Sequence, residues 1–283
     1  MTILAGLLAS LPTLKDYHDR ECTVYKLLAD VARQEVEKMF ADRAGVPQDL
    51  GHFGKLSFPY QKLGSVDSLS LFDLDELIIF SYYWQNRSRY RRVADIGANI
   101  GLHSTMLDKC GYEVRCFEPD PNHAKLIAEN LKRNNASHVT INNVAVSSKA
   151  GTLEFVRVLG NTTGSHIAGA KENPYGQLER FPVEVAPIGP IMEWADLVKL
   201  DAEGHEKEIL LATTAGHWEK TEMLVEIQNS ANAKAVYEHL SGIGVNLFAQ
   251  KLNWQRCRSL KDIPTSYKEG TLFVSPRESM SWG

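Results

Sequence analysis

A glycine-containing turn at residues 93–101 is the first segment of this 283-residue chain that could do chemistry. Apolar residues lead into Asp95, and Gly97 and Gly101 follow in a Gly-x-x-x-Gly pattern directly before a predicted helix. A strand, a tight turn and a helix N-terminus in this order present backbone N–H groups to a bound cofactor. Dinucleotide sites have a middle glycine in this turn, where the chain has Asn99. The turn therefore suits a ligand without a pyrophosphate.

An acidic residue at the end of the next predicted strand strengthens this interpretation. Glu118 ends the strand 114–118 and lies 23 positions after Asp95. The ribose of a bound nucleoside presents its two hydroxyls at this strand end, and a carboxylate can accept hydrogen bonds from both. The turn and the acid together predict a nucleoside ligand without phosphates, such as S-adenosylmethionine, with its methionine part against the turn.

Five short segments, taken in order along the chain, resemble the FkbM family of S-adenosylmethionine-dependent methyltransferases. They are residues 95–101, 117–120, 143–147, 199–206 and 224–226. The segment 199–206, Lys-Leu-Asp-Ala-Glu-Gly-His-Glu, is the most specific of the five, and the resemblance covers residues 90–275. It implies a class I methyltransferase fold and, most often, O-methylation of sugars or natural products.

The residues predicted to contact the cofactor follow the carboxyl ends of the predicted strands. They are Asp95, Gly97, Ala98, Asn99, Gly101, His103, Glu118, Pro119, Asp120, Asn143, Val144, Ala145 and Asp201. Asn99 can hydrogen-bond the cofactor or cap the helix that follows it. His103 can line the pocket or simply pack. The small side chain of Ala145 leaves room for a flat adenine ring after the third strand.

A further group of polar residues follows the fourth and fifth predicted strands. Methyl transfer is an in-line displacement from a sulfonium, so the enzyme mainly aligns the nucleophile, the methyl group and the sulfur. An alcohol acceptor must also lose its proton as the new bond forms. Asp201 is the first candidate to orient the acceptor or take this proton, and His205 is the second. Glu226 lies at the same sheet edge, and His166 in a long loop is another candidate base.

Two alternatives remain open for the acidic residues. Gly204 could begin a helix, and Glu203 and Glu206 would then stabilise its N-terminus electrostatically. Asp201 and Glu226 could instead hold a divalent metal ion that binds acceptor hydroxyls. The motif alone does not demand a metal, and none is predicted.

Composition and charge exclude several classes of protein. The net charge of −4 argues against a nucleic-acid partner, which usually needs a basic surface. The four cysteines form no Cys-x-x-Cys pair, which argues against a zinc site or a disulfide framework. No stretch approaches the roughly 20 apolar residues of a membrane span. We therefore expect a cytoplasmic protein that acts on a small molecule.

Residues 1–90 are predicted to form a helical N-terminal extension that could cover the cofactor site. Helical spacing of apolar residues predicts a helix over 13–44, and a capping-box-like start predicts another after Asp73. The apolar run 3–11 predicts a further helix that packs on the body or on a second subunit, as in a homodimer. The dense aromatic residues of this region are interpreted as core, with a wall of the acceptor pocket as the alternative.

Residues 91–283 show the alternation of strands and helices that is typical of a doubly wound α/β sheet. The predicted strands are 93–96, 114–118, 139–144, 197–200, 223–227, 245–249 and 271–274. The expected fold is a Rossmann-like, seven-stranded class I methyltransferase domain. Its antiparallel last strand is implied by the family resemblance.

A long insertion at residues 150–190 separates the third and fourth strands. Two β-like runs, 152–158 and 181–186, flank a polar segment from Gly160 through Tyr175. Long loops in compact domains are often functional. We therefore predict a hairpin whose tip covers the acceptor site, with a surface loop that makes no contacts as the alternative.

The sequence therefore predicts O-methylation of a hydroxyl on a sugar or glycosylated natural product, with S-adenosylhomocysteine as the second product. Methylation of an amine or a carboxylate is an alternative within the same class. A non-catalytic cofactor-binding scaffold is an alternative outside it. An NAD-dependent oxidoreductase is disfavoured because the middle glycine is missing.

Overall fold

The computed structural model describes residues 1–171 and 176–282. Residues 1–90 contain three α-helices and a short antiparallel strand pair. Their bounds are α1 (Ile3–Ser10), α2 (Thr23–Phe40), β1 (Gln48–Asp49), β2 (Lys55–Leu56) and α3 (Leu74–Gln85). The helix expected near the N-terminus is present, and its buried residues pack on the body of the same chain.

The prediction of one helix over residues 13–44 is wrong in its first third. The chain forms a 3-10 segment at Leu11–Tyr17, and α2 begins only at Thr23. The buried ring of His18 explains the interruption. It donates to the carbonyl oxygen of Leu11 (3.0 Å) and accepts the indole N–H of Trp254 (2.8 Å). Burial lowers the pKa of His18 to about 4, so this bridging ring is neutral at physiological pH.

Helix α3 begins where the capping pattern predicts. The side chain of Asp73 accepts a hydrogen bond from the backbone N–H of Glu76 (3.1 Å). The carboxylate of Glu76 does not complete the reciprocal half of a capping box and instead lies 2.8 Å from the ring of His103. Most of α3 is buried, so its acidic first turn is held rigidly against the sheet domain.

The chain after residue 91 alternates between strands and helices. The strands are β3 (Arg92–Ile96), β4 (Glu113–Phe117), β5 (Val139–Asn142), β6 (Ala145–Ser147), β7 (Gly151–Val158), β8 (His166–Ile167), β9 (Leu178–Pro187), β10 (Leu197–Leu200), β11 (Glu222–Val225), β12 (Asn246–Ala249), β13 (Gln255–Arg256) and β14 (Leu272–Ser275). The helices are α4 (Leu102–Lys109), α5 (Pro121–Arg133), α6 (Ile188–Trp194), α7 (Glu206–Leu210) and α8 (Ser230–Gly242).

The central sheet has eight strands in the order β13-β12-β14-β11-β10-β3-β4-β5. The pairs from β11 through β10, β3 and β4 to β5 are parallel, and β14 runs antiparallel to both β11 and β12. The predicted doubly wound sheet with an antiparallel last strand is confirmed, with the two-residue β13 added at one edge. The strand order reverses between β3 and β10, where open α/β sheets place their ligands.

The third strand of the sheet is shorter than predicted and ends at Asn142. The side-chain amides of Asn142 and Asn143 bind carbonyl oxygens at the end of β4 and in the loop after it, which stops the ladder. The chain then enters a second sheet of order β6-β9-β7-β8, in which β7 and β9 form the predicted hairpin. Tyr175, at the end of the predicted polar segment, lies outside the described residues.

Two large hydrophobic clusters cover the two faces of the central sheet. One is shared between residues 1–90 and the sheet, and it includes Leu8, Phe80, Met106 and Phe273. The other packs α6, α7 and α8 against the opposite face. The N-terminal helices therefore contribute to the same core that supports the strand ends. None of the helices in residues 1–171 and 176–282 combines the length and hydropathy that a membrane span requires.

Candidate active site

The glycine turn after β3 is folded tightly against the loop after β10. Gly97 has φ +77°, and an added Cβ would lie 1.7 Å from the carbonyl oxygen of Asp201. A glycine is required here because a side chain would push the two loops apart. The backbone N–H groups of Gly97 and Ala98 donate to the carbonyl oxygen of Phe117 (3.0 and 3.1 Å), which ties the turn to the end of β4.

The remaining residues of the turn divide between a ligand-facing role and packing. Asn99 has φ +52°, and its side-chain oxygen is buried without a hydrogen-bond partner among the described residues. Gly101 packs against Ile127 of α5. Asp95 is fully buried and accepts the hydroxyl of Ser104 (2.6 Å) at the start of α4. Within the described chain, Asn99 therefore keeps an unpartnered side-chain oxygen, whereas Gly101 and Asp95 support the turn from behind.

Glu118 lies directly after β4 and is only 5% exposed. Its two carboxylate oxygens accept the backbone N–H groups of Asn99 (2.9 Å) and Asp120 (2.9 Å). Burial raises the pKa of Glu118 to about 8, although these two hydrogen bonds favour the charged form. The carboxylate retains lone pairs that could accept the two hydroxyls of a ribose.

Asp120 and Asn143, both predicted to contact a cofactor, instead connect loops around the site. The carboxylate of Asp120 is 1% exposed and accepts two hydrogen bonds from Arg157 of β7 (2.6 and 2.7 Å). The amide of Asn143 donates to the carbonyl oxygens of Glu118 (2.7 Å) and Pro119 (3.1 Å). Both side chains therefore fix the loop that carries Glu118.

A first cavity lies over the ends of β3, β4 and β10. Ten residues that the sequence singles out line this first cavity. They are Gly97, Asn99, Glu118, Pro119, Val144, Ala145, His166, Asp201, Glu203 and His205. Asp95, Ala98, Gly101, Asp120 and Asn143 are absent from its lining in the described part of the chain. The fold thus gathers most of the predicted cofactor contacts around one space.

A second cavity lies beside the first, between the sheet edge and the N-terminal extension. Three of its lining residues are predicted parts of the site: His103, Asp201 and Glu226. The others that carry charge are mostly from the N-terminal extension: Arg20, Asp73, Asp75 and Glu76, together with Lys199 of β10. Asp201 lines both cavities and therefore stands between them.

Two carboxyl groups of the second cavity have raised pKa values because they are buried. Burial and the neighbouring Asp201 raise the pKa of Glu226 well above its ordinary value. Burial and the neighbouring acids of α3 raise the pKa of Asp73 to about 7. Clusters of titratable groups with shifted pKa values are typical of functional sites in clefts.

Lys199 is the residue that sequence reasoning missed at the junction of the cavities. Its ammonium lies 3.4 Å from a carboxylate oxygen of Asp201 and 3.4 Å from the carbonyl oxygen of Gly97. Burial lowers its pKa, but Asp201 and three further carboxylates outweigh that effect, and the net pKa is raised. A lysine within the otherwise apolar strand 197–200 is the signal that could have identified it, since buried lysines need a partner.

His103 contacts the second cavity rather than the first. Its Nδ1 lies 3.0 Å from the hydroxyl of Tyr83, and its Nε2 lies 2.8 Å from the carboxylate of Glu76. The contact with His103 lowers the pKa of Glu76, although burial acts in the opposite direction. The extension and the sheet domain are thus joined at this contact in the cavity wall.

The loop after β10 is held by its own acidic residues. Buried Glu206 accepts the backbone N–H groups of Ala202 (2.9 Å) and Gly204 (3.0 Å). The helix begins at Glu206 rather than at Gly204, so this side chain holds the loop before the helix, which differs from the predicted role at the helix N-terminus. Burial raises the pKa of Glu206 to about 8. His205 lies in the wall of the first cavity with Nε2 2.8 Å from the hydroxyl of Ser147, and burial lowers its pKa.

The hairpin insertion, predicted to cover the acceptor site, lines the first cavity, and none of its described residues lines the second. Its described segment 162–167 contributes lining residues, and Lys171 forms an ion pair with Glu203 of the loop after β10 (2.5 Å). A Cβ on Gly204 would lie 2.8 Å from the carbonyl oxygen of Ala170. The N-terminal extension holds the same hairpin through Leu63, whose carbonyl oxygen accepts the N–H of Thr162 (2.9 Å). The described part of the insertion therefore makes specific contacts.

No group of three or more His, Cys, Asp or Glu side chains in the described ranges is arranged to hold a metal ion. Asp201 and Glu226 both line the second cavity, but Lys199 lies against Asp201. The amide of Gln228 donates to the carboxylate of Glu226 (2.9 Å).

A family model described as the methyltransferase FkbM domain matches residues 95–247. The matched range begins at the glycine turn and contains Glu118, Lys199, Asp201 and Glu226. It therefore includes the sheet edge of both cavities, whereas the residues that α3 contributes lie outside it.

Two curated proteins are similar to this chain. The hexuronic acid methyltransferase AglP of Haloferax volcanii is 27% identical over 162 residues, which cover 56% of this chain and 65% of AglP. The methyltransferase sdnD of Sordaria araneosa is 28% identical over 163 residues, covering 45% of this chain and 62% of that protein. The similarity spans less than two thirds of the length of either relative.

Solved structures of methyltransferases show a more distant similarity. The O-methyltransferase TomG of Streptomyces achromogenes, in complex with SAM, is 13% identical. The match covers 69% of this chain and 78% of TomG, with a TM-score of 0.40. A likeness this distant adds nothing to the strand order described above.

Proposed function

The chain belongs to the FkbM methyltransferase family, and we propose that it transfers a methyl group from S-adenosylmethionine to an oxygen atom of a small acceptor. The position of Asp201 in the wall of both cavities carries this proposal. Methyl transfer needs two ligands that meet in line at one point. Two adjoining cavities with a shared carboxylate suit that requirement.

The first cavity is the proposed cofactor site. Glu118 would accept the ribose hydroxyls, and Val144 and Ala145 would face the adenine ring. Gly97 and Asn99 would lie beside the methionine part. The cofactor supplies an activated methyl group on a sulfonium, and its sulfur would then point toward Asp201.

The second cavity is the proposed acceptor site. Its carboxyl groups, including Asp73 and Glu226, can accept hydrogen bonds and, where their raised pKa values keep them protonated, can also donate. Both properties suit a ligand with several hydroxyl groups. Asp201 would accept the proton of the acceptor hydroxyl as the new C–O bond forms and the C–S bond breaks. S-Adenosylhomocysteine would leave as a neutral thioether, and Lys199 would hold the carboxylate of Asp201 in place.

We infer that the acceptor is a sugar or a glycosylated metabolite. The acid-rich wall favours polyhydroxylated ligands, and the relative AglP is named for its action on a hexuronic acid. Arg20, which also lines the second cavity, favours a second candidate reaction, the methylation of a carboxylate. A uronic acid would offer both kinds of oxygen to the site.

The N-terminal extension is proposed to complete the acceptor site. Asp73, Asp75 and Glu76 reach the second cavity from the first turn of α3. Residues 1–90 would therefore contribute to acceptor choice, while residues 91–283 bind the cofactor.

Incubation with methyl-labelled S-adenosylmethionine and a panel of glycosides and uronic acids tests the proposal. We expect label on at least one acceptor, in a base-stable ether for a hydroxyl or a base-labile ester for a carboxylate. Asp201→Ala should bind S-adenosylhomocysteine normally and transfer at least 100-fold more slowly, the scale of a lost general base. Near-normal transfer in this variant would remove Asp201 from the mechanism. Cofactor binding without any transfer would favour the scaffold alternative.

A further inference from the structure

We propose that His166, in β8 of the hairpin insertion, accepts a hydrogen bond from the exocyclic amine of the cofactor's adenine and makes the site selective for a 6-aminopurine. This inference rests on the proposed function and adds a specificity-determining residue to it. His166 is 2% exposed, and it lines the first cavity together with Glu118.

The hydrogen bonding of the ring defines its tautomer. Nδ1 of His166 lies 3.0 Å from the carbonyl oxygen of Gly164, and a carbonyl oxygen can only accept. Nδ1 therefore carries the hydrogen. Burial lowers the pKa of His166, and the nearby cations Lys171 and Arg180 also lower it, so the ring is neutral near pH 7. Nε2 consequently presents a bare lone pair.

This lone pair has no hydrogen-bond partner within residues 1–171 and 176–282. A buried acceptor without a partner is costly, and native proteins rarely leave one unless a ligand or water satisfies it. Because His166 lines the first cavity, a ligand held there can supply the missing donor. An amine is such a donor, whereas a carbonyl oxygen at the same point would repel the lone pair.

The surroundings of His166 suit a purine ring. Ala145, Phe155 and Ile167 form one hydrophobic cluster and all line the first cavity. Flat apolar walls of this kind fit the faces of an aromatic base, and Glu118 in the same cavity would fix the attached ribose. Adenine offers the donor that Nε2 needs at its 6-amino group, while hypoxanthine carries an oxygen there.

Calorimetric titration with S-adenosylhomocysteine and with its deaminated analogue, S-inosylhomocysteine, tests the inference. The wild-type protein should bind the adenine ligand at least tenfold more tightly than the analogue, the effect of one buried hydrogen bond. His166→Ala should weaken binding of S-adenosylhomocysteine about tenfold and reduce the preference to less than threefold. His166→Gln should bind both ligands, because its amide can turn to accept or donate.

His138→Ala is the matched control, because His138 is exposed on the surface and lines neither cavity. It should keep the affinity and the preference of the wild-type protein. Equal binding of the two ligands by the wild-type protein would overturn the inference without any variant. The inference would also be overturned if His166→Ala kept the wild-type preference for S-adenosylhomocysteine over S-inosylhomocysteine. If that variant kept the preference but transferred the methyl group more slowly, His166 would act as a base instead. If the wild-type protein binds neither ligand, the proposed function itself fails.

Discussion

The carbonyl oxygen of Asp201 lies 1.7 Å from the position that a Cβ on Gly97 would occupy. This contact joins the loops after β3 and β10 at the point where the strand order of the sheet reverses. Lys199 adds a second link, because its ammonium lies near both the Gly97 carbonyl oxygen and the Asp201 carboxylate. The Gly97 turn and Asp201 therefore cannot move independently. The first would hold the cofactor, and the second would act on the acceptor.

Replacing Gly97 with alanine tests this coupling. Gly97→Ala should separate the two loops, destabilise the protein by about 2–4 kcal/mol and weaken S-adenosylhomocysteine binding at least tenfold, since both the close contact and the positive φ oppose a side chain. Thermal unfolding and calorimetry measure the two effects. Gly242→Ala is the control, because Gly242 ends α8 with no atom within 4 Å of an added Cβ. Normal stability and binding in Gly97→Ala would contradict the coupling.

Cofactor affinity should depend on pH through Glu118. The pKa of Glu118 is about 8 in the free protein, so below pH 8 the carboxyl is largely protonated and accepts ribose hydroxyls less well. Binding of S-adenosylhomocysteine should therefore tighten between pH 6.5 and pH 8.5, by at most about tenfold per pH unit. Glu118→Gln should bind weakly with no such dependence. If the affinity of Glu118→Gln for S-adenosylhomocysteine changed with pH as steeply as that of the wild-type protein, another group would be responsible for the pH dependence.

The stability of the unliganded protein should fall as pH rises from 6.5 to 8.5. Burial raises the pKa of Glu118 and of Glu206 to about 8, so the folded state retains protons that the unfolded state has already lost. For each proton that only the folded state retains, the unfolding free energy falls by up to about 1.4 kcal/mol per unit of rising pH. Burial lowers the pKa values of His18, His123, His166 and His205, so these four rings are neutral in this window. In Glu206→Gln, the unfolding temperature should decline less steeply as pH rises. A wild-type stability that increases between pH 6.5 and pH 8.5 would contradict this prediction.

Lys199 should act as a positioning residue for the transfer step. Lys199→Met removes the cation that favours ionisation of Glu76 and Glu226 and that holds Asp201. The pH dependence of turnover should shift to higher pH, and turnover near neutral pH should fall at least 30-fold, while cofactor affinity changes less than threefold. Lys199→Arg should restore part of the rate and the wild-type pH profile. If Lys199→Met lost cofactor binding to the same extent as turnover, Lys199 would have a structural role instead.

Much of the sheet could be predicted from local patterns. Apolar runs followed by glycine or acidic residues predicted the strands before Gly97, Glu118 and Asp201, because parallel strands are buried on both faces. The third strand was predicted two residues too long. Its end is determined by the side-chain amides of Asn142 and Asn143, which compete with the ladder for carbonyl oxygens.

The second cavity could not be predicted from the sequence in the same way. Arg20 and Glu76 reach the sheet edge from more than a hundred positions before Asp201, and no local pattern connects them. Asp73 was recognised for its capping role, but the capping pattern does not show that the same turn faces a cavity. His103, predicted near the cofactor, instead pairs with Glu76, because α3 packs beside the start of α4.

Calorimetric titration of the wild-type protein and Glu118→Ala with S-adenosylmethionine, S-adenosylhomocysteine and NAD is the most direct test of the proposed site. We predict micromolar binding of the first two ligands, no binding of NAD, and at least tenfold weaker binding in Glu118→Ala. Binding of neither adenosyl ligand by the wild-type protein, or full affinity without the Glu118 carboxylate, would contradict a cofactor site in the first cavity.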